Sequence, residues 1–366
     1  MTLAKNIRKA INKTSSGTIH EGFFTEEAWS SSGNYALNRM LSGRYDSAFP
    51  FGRQIGIGGV SGSGKSLLAA TALSCAQRDH GAIGIWLDSE NASKESWLSG
   101  LGVDTSEDKL IYANVATVED VKSIISSITK DVKKSDEKRP VFIVVDSYSA
   151  LMTESQMGNA EAGVVVGDQG QQAKQIKDLV KSANHLVTRL PVCLVGMMHT
   201  MASQDKYNPD EILTGGRGIE YLASIVIVMN KLKLKAEDMA DAQLRGEIMD
   251  RIESDKGDKK VVGLKSRIQV YKSRFAKPNE SVIVQIPYPH GIDRYSGLFE
   301  QMQEEKLFTA KSAGWYTYRD ESGKDVSFQR SKFRDHAEVL MRMGQARVSS
   351  GSYGSVDPEP VPSEAA

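Results

Sequence analysis

From about residue 53 the chain breaks into short, unbroken apolar runs separated by helical stretches: RQIGIGGV, AIGIWLD, PVFIVVD, PVCLVGMMH and ASIVIVM. Apolar runs of about four to eight residues without alternation mark strands covered on both faces, and the spacing between them suits crossover helices. The pattern predicts an α/β fold with a mostly parallel central sheet. The clearest helix is expected over about 169–190, where Ala173, Ile176, Leu179, Val180, Ala183, Leu186, Val187 and Leu190 share one face. Further on, SRIQVYKSR and ESVIVQIPY read as later, partly β-branched strands, with antiparallel pairing open to them.

Outside these runs the pattern weakens. Residues 3–12 place Leu3, Ile7 and Ile11 on one stripe among Lys5, Arg8 and Lys9, and TSSGT then breaks the helix. Such a segment is too short to fold alone, so an arm is expected, with a membrane-surface helix as the competing reading. Phe23 and Phe24 follow with no core of their own. Residues 236–260 are highly charged, with Met239, Leu244, Ile248 and Ile252 as sparse apolar points, and suggest a surface helical excursion. After the turn-rich IPYPHGIDRYSG, residues 297–343 gather Leu298, Phe299, Leu307, Phe308, Trp315, Tyr316 and Tyr318 into a compact segment. The expected organisation is an arm over 1–45, a core over 46–287, a small C-terminal α/β domain over 288–343 and a disordered tail over 344–366.

Composition narrows the function. The 366 residues are 40% hydrophobic, enough for one large core and something smaller. Lys plus Arg (46) equals Asp plus Glu (46), so the chain has no global attraction for nucleic acid and any such affinity must come from local loops. Cys75 and Cys193 both lie in apolar runs, which argues against a disulfide framework and fits a reducing cytoplasm. The basic N-terminal stretch lacks a signal-like apolar segment, and no run reaches the roughly 18 apolar residues of a membrane span. A soluble cytoplasmic protein is expected.

The decisive chemistry is GVSGSGKS, Gly59 to Ser66, a P-loop pattern between a strand and an apolar helix. Polyphosphate needs converging backbone N–H groups, which a glycine-rich turn at a helix N-terminus supplies. Gly59, Ser61, Gly62, Ser63 and Gly64 would form the cradle, with Leu67 opening the helix behind it. Lys65 is expected at the β- and γ-phosphates of ATP and Ser66 at Mg²⁺. PVFIVVDS ends in Asp146, which can serve the metal's water shell if its strand neighbours the P-loop strand, an adjacency the spacing permits. GIWLDSEN ends in Asp88 and Glu90. Glu90 is the expected base that orients water, Asp88 competes for the role, and both residues capping the next helix is the plain alternative. His199 closes PVCLVGMMHT and opens a long polar stretch, where it could pass the γ-phosphate's state to the following loop.

Taken in order, the P-loop, a strand ending in DSE, VVDS, and a polar strand end followed by a long loop closing in TGG resemble the RecA recombinases. VYKSR, PHGIDRYSGL and AGWY extend the likeness, which covers about residues 35–235 and 265–320 and leans toward the family's phage branch. The resemblance implies a RecA-like P-loop ATPase that forms helical filaments on single-stranded DNA, pairs it with duplex DNA and turns over with ATP hydrolysis. It assigns Lys65, Ser66, Asp146, Glu90 and His199 the roles above, and it sets Trp97 over the adenine, although Lys94 replaces an acidic residue of the family.

The resemblance further implies that Lys272 and Arg274 reach the neighbouring protomer's ATP. DNA loops would fall at 153–168 and 200–217, with Met157, Val164, Val165, Met201, Lys206, Gly215, Gly216 and Arg217 as contacts. A single-strand-binding protein and a recombination mediator are implied partners, and no membrane is. A hexameric helicase or other motor on the same core is the alternative, and a small-molecule kinase is a weaker one.

Overall fold

The computed structural model describes residues 28–137, 139–164, 167, 170–201, 212–213, 223–235, 239, 261–288 and 290–350. The basic arm with Phe23 and Phe24, nearly all of the charged 236–260 segment, Val165, Lys206, Gly215, Gly216, Arg217 and the tail beyond 350 lie outside the described residues.

In chain order the strands are β1 (Trp29–Ser30), β2 (Phe49–Pro50), β3 (Arg53–Gly59), β4 (Ile83–Asp88), β5 (Leu110–Asn114), β6 (Val141–Asp146), β7 (Val192–Met198), β8 (Thr200–Met201), β9 (Ile212–Leu213), β10 (Ile225–Lys235), β11 (Val261–Ser273), β12 (Ser281–Pro287), β13 (Thr309–Ser312), β14 (Trp315–Arg319) and β15 (Asp325–Gln329). Eight of them form one sheet in the order β12-β11-β10-β3-β7-β6-β4-β5. From β10 to β5 the pairing is parallel, and β11 and β12 add on antiparallel. This is the α/β architecture that the unbroken runs predict, and each of the five runs is a strand.

The period-2 geometry of a strand divides those runs between two apolar layers. Phe142 and Val144 of β6, Cys193, Val195 and Met197 of β7, and Ile55 and Ile57 of β3 face the P-loop helix (Lys65–His80). Ile143 and Val145, with Val192, Leu194 and Met198, face the opposite way, toward the helices Val118–Lys134 and Gln171–Val187. The latter helix buries Ile176, Leu179, Val180, Ala183 and Val187, the stripe expected for 169–190.

Two features depart from expectation. β5 was not foreseen. As the sheet's outer strand it has a single partner, β4, and leaves Ile111 and Tyr112 exposed, so it needs no unbroken apolar run. The β3 and β6 strands are not neighbours either, because β7 pairs with both and lies between them. The P-loop and Asp146 are therefore two strand spacings apart, roughly 9.6 Å.

The helix Tyr35–Ser42, which falls within the expected arm, packs into this chain's own core through Ala36, Leu37, Met40 and Leu41. Asn34 caps it by accepting from Leu37 N–H at 2.8 Å, and its amide donates to the carbonyls of Asp293 and Ser296 at 2.9 Å each. Arg39 pairs with Glu305 at 2.9 Å. These bonds tie the N-terminal helix to the segment following β12. Beyond it stand the helix Leu298–Glu304, the antiparallel β13-β14-β15 sheet and the helix Phe333–Ser350. Phe299, Phe308, Tyr316, Phe328 and Phe333 contact one another edge-on or tilted, within the same apolar cluster as the P-loop helix. Leu298, Phe299, Leu307, Phe308 and Tyr318 are buried as expected, whereas Trp315 is exposed. Among the described residues no helix is long and apolar enough to cross a membrane.

Candidate active site

The C-terminal ends of β3, β7, β6 and β4 converge on one edge of the sheet, the position where open α/β sheets take ligands. β3 runs into Gly59, where a Cβ would lie 2.5 Å from the Met229 carbonyl and 2.6 Å from Ser63 Oγ, so only glycine lets the turn pass. Gly64 adopts φ 98°, a left-handed geometry costly for other residues, and starts the helix at Lys65 with no side-chain cap. The helix's first N–H groups are thereby left pointing into the loop.

Lys65 is buried, and its ammonium donates to the carbonyls of Gly59 (2.8 Å) and Val60 (3.0 Å) across its own loop. Burial pushes its pKa down, while the carboxylates of Asp146 and Glu90 pull it back up. Ser63 Oγ is buried with no protein partner. A buried hydroxyl without a partner, a buried ammonium and uncapped helix N–H groups fit a phosphate.

Asp146, at the end of β6, sits beside Asp88 at the end of β4 in the parallel register. The gap left by β7 is bridged from the P-loop helix, where the Ser66 hydroxyl lies near enough to Asp146 to hold its pKa down. Burial raises the Asp146 pKa to about 6; Ser66 opposes the rise, the charges of Glu90 and Asp88 add to it, and Lys65 offsets it in part. A hydroxyl and a single carboxylate held together suit Mg²⁺, which keeps several waters and takes its remaining ligands from phosphates. Among the described residues no group of three or more His, Cys, Asp or Glu is arranged as a metal cage. The Ser66 hydroxyl and the Asp146 carboxylate fit Mg²⁺ carried in with a polyphosphate.

The two carboxylates of DSEN differ in circumstance. Asp88 is 1% exposed and accepts from the N–H groups of Glu90 and Ser93, both at 3.0 Å, and from the Tyr112 hydroxyl at 2.9 Å. Burial alone would raise its pKa, but the bonds from Ser93, Tyr112 and Glu90 hold it below its usual value. Its oxygens are occupied in shaping the turn. Glu90 is more open: it accepts from Ser147 Oγ at 2.8 Å and lies 3.3 Å from His199 Nε2. Ser89 Oγ donates to the Ser147 carbonyl (2.7 Å) and accepts from its N–H (2.8 Å), stapling the ends of β4 and β6. His199, just past β7, donates its backbone N–H to Ser149 Oγ at 2.9 Å.

Other expected residues are dispersed. Trp97, in the helix Glu95–Gly100, meets Trp86 edge-on at 6.2 Å and is half-buried. Lys272 pairs with Val226, which pairs with Gly56 at the middle of β3, so it stands back from the P-loop toward the other end of the sheet. Four residues separate Gly56 from Val60, roughly 13 Å along the strand. Arg274 follows, its N–H bonded to the Ser224 carbonyl at 3.0 Å; burial and the Arg274 charge lower the Lys272 pKa. The stretch 153–168, expected as an unpatterned loop, contains the helix Glu154–Glu161, capped by Thr153 and Gln156 and burying no side chain. Met157 is half-buried on it and Val164 is exposed. Met201 lies in β8, which pairs with β9.

Two neighbours of the loop escaped sequence reading. Lys231 of β10 brings its ammonium within 3.1 Å of where a Gly62 Cβ would sit, and Tyr288, 56% exposed, follows β12, whose Ile286 packs on Gly64. The signals were MNKLKLK, which continues β10 by alternation after its apolar run, and the lone aromatic closing VIVQIPY.

A family model described as the RecA N-terminal domain matches residues 2–293. Protein RecA of Xanthomonas axonopodis pv. citri is 27% identical over 301 residues, covering 80% of this chain and 77% of its own. Protein RecA of Streptococcus sanguinis is 27% identical over 358 residues, covering 96% of this chain and 84% of its own. Protein RecA of Salinispora tropica is 27% identical over 339 residues, covering 91% and 86%.

Proposed function

The chain belongs to the RecA family, and from that premise we propose that it is a DNA-dependent ATPase that assembles into helical filaments on single-stranded DNA and exchanges strands with duplex DNA. The observation that carries this reading is the nucleotide cradle at the strand ends, where Lys65, Ser66, Asp146, Glu90 and His199 come from four different segments onto one loop. In this reading Lys65 leaves the Gly59 and Val60 carbonyls to hold the β- and γ-phosphates. Ser66 and Asp146 would hold Mg²⁺, which would supply positive charge to the phosphate oxygens. Glu90 orients a water for in-line attack, and His199, in contact with it, reports the loss of the γ-phosphate to the chain that follows β7. Trp97 is assigned to the adenine.

Lys272 and Arg274 are too far from their own P-loop to serve it, so they are assigned to the ATP of the next protomer. A site completed head to tail repeats without closing, which yields a helix. The segments around Met157, Val164, Val165, Met201, Lys206 and Gly215–Arg217 are assigned to DNA. We further propose a phage-type, UvsX-like recombinase acting in the cytoplasm with a single-strand-binding protein and a mediator as partners. The test is ATP turnover with and without single-stranded DNA, together with electron microscopy in a non-hydrolysable analogue. DNA-accelerated turnover and nucleotide-dependent filaments are expected; separate subunits under every condition would overturn the proposal.

A further inference from the structure

The base assigned above sits on a turn whose shape is held from outside the P-loop neighbourhood. The link runs from the sheet's outer strand. Tyr112 of β5 donates its hydroxyl to Asp88 Oδ2 at 2.9 Å; Asp88 Oδ1 accepts the Glu90 N–H and Oδ2 accepts the Ser93 N–H, each at 3.0 Å. Asp88 is 1% exposed, so it has almost no water to replace a missing donor. A desolvated carboxylate with three donors is a rigid anchor, and one deprived of a donor is strained toward other partners. Glu90, two residues on, has its carboxylate placed by that anchor at one end and by Ser147 and His199 at the other. Burying an aromatic does not explain Tyr112, whose side chain is 42% exposed.

We propose that Tyr112 is a positioning residue for ATP hydrolysis, fixing through Asp88 the turn that carries Glu90 and so linking the state of the sheet's outer edge to the catalytic base. The inference rests on the ATPase reading above. It makes no contact with nucleotide necessary, and therefore separates turnover from binding. A hydrogen bond to a buried charge is strong enough for a severalfold change in rate when it is lost, and water at the half-open phenol limits the loss.

The experiment uses the full chain with Tyr112→Phe and, as a control for edge-strand packing, Ile111→Ser. ATP turnover is measured at saturating Mg²⁺ and single-stranded DNA, with KM, the affinity for a fluorescent ATP analogue and the melting temperature in parallel. For Tyr112→Phe the expected result is a kcat about three- to tenfold lower, with KM and analogue affinity unchanged and a melting temperature lowered by no more than about 5 °C. Ile111→Ser is expected to keep the wild-type kcat. Wild-type kcat in Tyr112→Phe, or a loss that tracks KM or comes with a larger fall in melting temperature, or an equal loss in Ile111→Ser, would overturn the positioning role while leaving the ATPase reading intact. A wild-type chain that does not hydrolyse ATP would instead remove the reading beneath it.

Discussion

The two ends of the parallel sheet are built to different plans. At the end where β3, β7, β6 and β4 terminate, Lys65 is bonded to its loop carbonyls, Asp88 to three donors, and Glu90 to Ser147 and His199. At the other end Lys272 and Arg274 bring two like charges close enough to depress the Lys272 pKa, after burial has already lowered it. Concentrating positive charge is unfavourable within one chain and becomes favourable against an anion. The first end is thus a pocket arranged in advance, and in the proposed filament the second would face the first end of another copy. Four substitutions sharpen or break that contrast.

The largest effect is expected from Lys65→Ala. Removing the Lys65 ammonium takes the buried cation out of the cradle, and ATP turnover should fall a hundredfold or more, on the order of the loss of a key charge-stabilising donor. Turnover within about threefold of wild type would show that the cradle does not hold the reacting phosphates. Next is Glu90→Gln, which keeps the shape of the contact to Ser147 and removes the base. Nucleotide binding should persist while kcat falls about a hundredfold. An active Glu90→Gln enzyme would transfer the base to Asp88, against the occupancy of its oxygens.

How far sequence alone could see this contrast depends on how local each cause is. Strands covered on both faces announce themselves, as VFIVVD of β6 does with every residue buried. β5 stayed hidden because an edge strand needs no such run. Gly59 to Ser66 was legible because a phosphate loop is one contiguous turn. The insertion of β7 between β3 and β6 was not, since strand order is set by where crossovers land and not by how far apart two runs lie in the chain. The same holds for the division of labour within DSEN: the donor that occupies Asp88 is Tyr112, 24 residues away on a different strand.

A third prediction concerns stability. The folded-state pKa of Asp146 is raised from 3.8 to about 6, chiefly by burial. Proton binding therefore favours the folded state: the contribution is full below the unfolded value of 3.8 and is lost as pH rises through about 6. At pH 7.5 the wild-type chain carries a buried charge that Asp146→Asn lacks. The variant should unfold with about 2 kcal/mol more free energy at pH 7.5, with the gain vanishing near pH 4, while Mg²⁺-dependent turnover is lost. Denaturant titrations at the two pH values check the sign. A destabilised variant at pH 7.5 would mean that the Ser66 hydroxyl outweighs burial, and that this end of the sheet is less strained than its crowding of carboxylates implies.

The smallest effect bears most directly on the contrast between the ends. Lys272→Ala should leave the melting temperature of the isolated chain unchanged and lower DNA-stimulated turnover about tenfold, the scale of one charge-assisted contact to phosphate. Such a loss alone does not say whose phosphate is touched, and mixing does. In a filament built from equal amounts of Lys65→Ala and Lys272→Ala chains, roughly a quarter of head-to-tail interfaces would join an intact Lys65 to an intact Lys272. Activity above that of either variant alone is therefore expected on mixing. If the two cations served their own chain's nucleotide, no pairing of the variants would restore a complete site, and the mixture would give only the average of its parts. Flat additivity would therefore return Lys272 and Arg274 to the status of surface charges and leave the far end of the sheet without a role in catalysis.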